Sequence, residues 1–80
     1  MSTPSSIAIE AVDELHAALA KYGPMLSAHE GWAVIFEEVD ELWDEVKLKP
    51  SQVSKERMRK EAIQVAAMAM RFVLDVCDKP

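Results

Sequence analysis

The sequence predicts an all-α protein in which three antiparallel helices complete a helical bundle by oligomerisation. Apolar residues recur every three or four positions in three separate segments, Gly23-Pro24 and Pro50 divide those segments, and no stretch alternates as a strand would. A chain of 80 residues forms one domain and buries only a modest share of its surface, so further copies of itself are expected to complete the core.

The first helix is expected over about 5–22. Small polar residues before it offer a Ser or Thr cap, Ala8, Val12, Leu15, Leu19 and Tyr22 mark its apolar face, and Gly23-Pro24 ends it. The second is expected over about 28–47, opened by Ser27 and Glu30 in capping-box spacing and closed before Pro50. Its apolar face reads Trp32, Phe36, Val39, Trp43 and Val46, and Trp43 is expected in the core. The third is expected over about 52–76, capped by Ser51 or Ser54. From Ala62 to Val76 it is apolar except at Gln64, Arg71 and Asp75, more than two short amphipathic helices can cover. Ala62, Ala66, Ala67 and Ala69 would admit another helix closely, which points to a bundle shared between chains, a homodimer or homotetramer, the alternative being a loosely packed monomeric three-helix domain.

A net charge of −5 argues against attachment to a nucleic-acid polymer, because such affinity comes from basic surface and counterion release. The longest apolar run, Val65 to Met70, is too short for a bilayer, and the N-terminus lacks a signal pattern, so a soluble cytoplasmic protein without a membrane partner is expected. Cys77 has no cysteine or histidine companions and is read as a small apolar residue.

Glu37-Glu38-Val39-Asp40-Glu41-Leu42-Trp43-Asp44-Glu45 holds six carboxylates and no cation. Glu37/Glu41, Asp40/Asp44 and Glu41/Glu45 are like-charge pairs one turn apart, and the last carboxylates sit at the unfavourable end of the helix dipole. Either the run is a solvated face or a divalent cation neutralises it. Glu38, Glu41 and Glu45 fall within about 60° of one another on a helical wheel, with Glu38 bordering the apolar face, so they can converge on a groove. Hard cations prefer carboxylate oxygens. Glu61 on the third helix is the candidate to complete the set, with Gln64 one turn further on; alternatively, Arg57 and Glu61 form an ordinary ion pair.

These residues resemble the MazG-like, all-α nucleotide pyrophosphohydrolase superfamily, whose motif is E-E-x-x-E followed after a linker by E-x-x-D. The first half stands as Glu37-Glu38-Val39-Asp40-Glu41, and the second as Glu61-Ala62-Ile63-Gln64, with Gln in place of Asp. The likeness spans His29 to Phe72 and is to small, often phage- or prophage-encoded members. It implies a MazG-like fold that binds Mg²⁺, or Mn²⁺, through Glu38, Glu41 and Glu61, with Gln64 in the fourth position and Glu37 orienting the attacking water. Glu37 and Glu38 would be the catalytic pair. The implied reaction hydrolyses a nucleoside triphosphate to the monophosphate and pyrophosphate. An amide oxygen can coordinate a hard cation but brings no charge and cannot act as a base, so Gln64 should weaken metal binding.

Lys47, Lys60 and Arg71 are candidate phosphate contacts, and Trp32 a candidate base contact, each with an alternative role as surface charge or packing. His16 and His29 belong to no metal-binding pair. The main rival is a catalytically weak or inactive helical dimer that works as an interaction protein on the same scaffold. A di-iron centre lacks its Glu-x-x-His, and a calcium loop its glycine turn.

Overall fold

A computed structural model describes residues 1–80, and each of its three helices starts at a hydroxyl cap. Helix α1 (Pro4–Lys21) is opened by Thr3, which exchanges hydrogen bonds with Ser6 in a capping box. Helix α2 (Ala28–Val46) is opened by Ser27, whose hydroxyl accepts from the Glu30 N–H at 3.1 Å. The Glu30 carboxylate reaches back to the Leu26 N–H instead of to Ser27, so the expected box is displaced by one residue. Helix α3 (Lys55–Phe72) begins later than expected because Ser54 is the cap, its hydroxyl accepting from the Arg57 N–H. It runs on into a π-helical turn, Val73–Cys77. No strand occurs, so the all-α expectation is borne out, and no helix is long and apolar enough to cross a membrane.

The chain runs up, down and up, with α3 against both other helices while α1 and α2 scarcely touch. This central place answers the nearly all-round apolar character of α3: Ile63, Ala67 and Met68 are buried, with Leu15 and Ala18 of α1 and Met25 of the first connection. Alternate long and short side chains let the helices close; Ala67 has no exposed surface at all.

The turn of the chain after α1 is tied to the end of α3. Asp75, set by the π-helical turn, accepts from the Met25 N–H at 3.0 Å, and the Arg71 guanidinium donates to the Gly23 carbonyl. Arg71 Nε lies 3.4 Å from Asp75 Oδ2 and makes no hydrogen bond of its own. Both side chains are more than nine-tenths buried, and a buried ion pair stripped of one member costs about 3–5 kcal/mol. Arg71 is thus a structural residue first.

One part of α2 departs from expectation. Gly31, Ile35, Glu38, Leu42 and Glu45 occupy the side turned to α3, while Trp43 and Phe36 are each 55% exposed. Trp43 therefore does not enter the core of its own chain. The physical reason is angular: the apolar surface of α2 is wider than one neighbour can cover, and α3 takes the edge carrying the small Gly31. There a Cβ would lie 2.6 Å from Phe72 Cδ2 and 3.1 Å from Met25 Sδ.

Gly31→Ala is therefore expected to destabilise by about 1 kcal/mol, overpacking of roughly 1–3 kcal/mol exceeding the helix-propensity gain of about 1. Gly31→Leu should cost more. Thermal unfolding followed by circular dichroism at fixed protein concentration checks this, and a rise in Tm for Gly31→Ala would show that the approach is not tight.

Candidate metal centre

Glu38 and Glu41 are three apart on α2, and Glu61 comes from the antiparallel α3. The two helices are pinned on either side of this point. At one end Gly31 meets Phe72, and at the other Arg57 Nε donates to Glu45 Oε1 at 2.5 Å while its Nη2 donates to the Gln52 carbonyl at 2.8 Å. Between the pins, one carboxylate oxygen from each of Glu38, Glu41 and Glu61 lies within 4.8 Å of the others. Glu38 and Glu61 are half-buried and Glu41 is exposed.

No guanidinium or ammonium is bonded to this trio; Arg57 is used by Glu45 and Gln52. Two full charges 4.8 Å apart repel by about 3 kcal/mol at an effective dielectric of about 20, and by less where water reaches Glu41. The Glu38 carboxyl is accordingly pushed up to about 7, first by burial, then by the charge and proximity of Glu41, with smaller contributions from Glu61 and Glu37. Glu61 is also raised, by burial and then by Glu41, although Lys60 draws it partly back. Three carboxylate oxygens, two of them on half-buried side chains and none bonded to a cationic side chain, are a donor set that could hold a hard divalent cation.

Beside the trio runs a groove of about 920 Å³ between α1 and α2, floored by Met68 and reached by Glu37, Glu38, Glu41, Gln64 and Arg71. Gln64 Nε2 donates to Glu14 Oε2 at 2.8 Å, so its amide is engaged by α1. Glu14 was not foreseen from the sequence, since nothing in its own neighbourhood marks it; only the parallel course of α1 and α3 brings it to Gln64. The Arg57–Glu45 clamp likewise replaces the alternative Arg57–Glu61 pair, and a separation of twelve residues gives no local signal for it.

The remaining candidates lie apart from one another. Lys47 is bonded to Asp44 at the end of α2, and that carboxylate raises its pKa. Lys60 faces a second, charged groove between α1 and α3 with Glu10, Asp13 and Arg59, where Arg59 is bonded to Glu10. Arg71 lines the main groove but is held by Gly23 and Asp75, which limits its reach toward a ligand. Trp32 is exposed, its ring 6.2 Å from that of Phe36. Cys77 is exposed, not packed.

Comparison of the chain with protein-family models, with curated proteins and with solved structures finds no match in any of the three.

The raised Glu38 and Glu61 carboxyls set a pH dependence. Between about 4.5 and about 7 the folded chain holds a proton that the unfolded chain has released, so stability falls as pH rises through this window. Urea midpoints in chelator should decrease from pH 5 to pH 7.5, and Glu38→Gln should flatten most of that slope; an unchanged slope in the variant would place its origin elsewhere.

Proposed function

We propose that this chain is a metal-dependent nucleoside triphosphate pyrophosphohydrolase of MazG-like type, acting in the cytoplasm as a homodimer or homotetramer. The observation that carries the reading is the meeting of Glu38, Glu41 and Glu61 within 4.8 Å at the edge of a groove that also holds Glu37. On this reading the three carboxylates hold Mg²⁺ or Mn²⁺, and the groove takes the substrate. Bound divalent cations supply neutralisation of the phosphate charge and a lower pKa for water. Glu37, exposed one residue before Glu38, orients the attacking water and accepts its proton. Attack breaks the α–β phosphoanhydride bond and releases monophosphate and pyrophosphate. To hold a cation at neutral pH Glu38 would have to be ionised, so its raised carboxyl would give up a proton on binding.

The test is a panel of canonical and modified deoxynucleoside triphosphates with millimolar Mg²⁺ or Mn²⁺, read by pyrophosphate release. At least one is expected to be hydrolysed. Glu41→Gln and Glu61→Gln should lower kcat/KM by about 100-fold or more, and Glu37→Gln should lower kcat by roughly 10²–10⁴-fold. No release with any nucleotide, from protein shown to be folded, would reject the reading.

A second reading, a catalytically weak dimer serving as an interaction protein, is favoured by one specific observation. Gln64 stands where the resemblance calls for Asp, and its amide donates to Glu14. Gln64→Asp alone would set a carboxylate near the Glu14 carboxylate, so it is best combined with Glu14→Gln. The double variant should bind Mn²⁺ more tightly, by roughly 10-fold, in a calorimetric titration; an affinity equal to that of the natural chain would remove Gln64 as the source of weak binding.

A further inference from the structure

The exposed face of α2 is a seam. Trp32, Phe36, Val39, Trp43 and Val46 follow one another at spacings of four, three, four and three, and each is between 43% and 61% exposed. This is the narrow apolar stripe that one helix presents to another, repeated over two heptads. Neither α1 nor α3 covers it. The carboxylates lie off the stripe, with Glu38 and Glu45 on the side turned to α3.

We infer that this stripe is the surface on which a second copy of the chain packs, α2 against α2 across a twofold axis. The inference deepens the homo-oligomer part of the proposed function and does not depend on hydrolysis. Area argues for it. The chain exposes 5846 Å², whereas a compact monomer of 8.9 kDa exposes about 4,800 Å², leaving an excess of about 1,000 Å². A standard interface removes about 800 Å² from each partner, so one such contact would absorb most of the excess. Core size argues in the same direction, and for an identical partner. Only nine of 80 residues are buried, so burial at an interface would add to a small core, and its own copies are present wherever it is made. A twofold centred on Val39 also lets the stripe mate with itself, Trp32 of one copy lying against the partner's Val46 and Phe36 against the partner's Trp43.

The natural chain supplies its own probe, because its two tryptophans, Trp32 and Trp43, both lie on the stripe. Sedimentation equilibrium should give a dimer or a multiple of it. Tryptophan emission should be blue-shifted and poorly quenched by acrylamide at high concentration, and should become quenchable on dilution together with loss of the dimer. Phe36→Glu and Trp43→Glu should each weaken association by at least roughly 30-fold. Glu41→Gln should leave it unchanged, which separates this inference from the hydrolytic reading. A monomer at all concentrations would overturn the inference and leave the stripe to a different protein. An oligomer whose tryptophans stay freely quenchable would overturn it too, since another face would then hold the copies together.

Discussion

Glu38 lies on the side of α2 that packs on α3, where Gly31, Ile35 and Leu42 are its neighbours in register. A helix seam normally excludes such a group, because a partly buried carboxylate loses hydration, and here Glu41 and Glu61 add repulsion to that loss. The seam tolerates it because both ends are secured by other means. Close approach at Gly31 and the Arg57–Glu45 bond hold α2 and α3 in one register, and the carboxylates meet as a consequence. Stability of the seam and the chemistry of the site are therefore opposed, and the raised Glu38 carboxyl reports that opposition.

The central position of α3 follows from the same economy. Its C-terminal half is apolar on nearly every side, so it must be sandwiched, and the π-helical turn beyond it places Asp75 where the Met25 N–H and Arg71 need it. This end lock shapes the far wall of the groove. It also explains why a cation in the groove is less available to ligands than its type suggests: Arg71 neutralises Asp75 and satisfies the Gly23 carbonyl before it can serve anything bound there.

With α3 covered from two sides, apolar surface still remains outside, scattered on α1 and the connections and continuous along α2. The wide apolar face of that helix is divided between α3 and the exterior, and the aromatic portion is the part left outside. Gly31 takes the inner position because closeness there matters more than side-chain volume. Exposure of Trp32, Phe36 and Trp43 is then the counterpart of the tight α2–α3 contact, not a separate feature.

Helix number, the Gly23-Pro24 break, the hydroxyl starts and the acidic run were all legible in the sequence, because each rests on interactions within a few residues. The pairing of Glu38, Glu41 and Glu61 was legible in outline, since helical spacing groups the first two and Glu61 stood out on the third helix as the carboxylate to complete them, a choice the resemblance repeats. Local spacing does not state how far each helix is turned about its own axis against its neighbour. That rotation is decided by packing between segments distant in the chain, where Gly31 fits Phe72 and Arg57 reaches Glu45. Only the tertiary structure, for that reason, gave Gln64 to Glu14, enclosed Arg71 with Asp75, and turned Trp43 outward from the core its periodicity had promised.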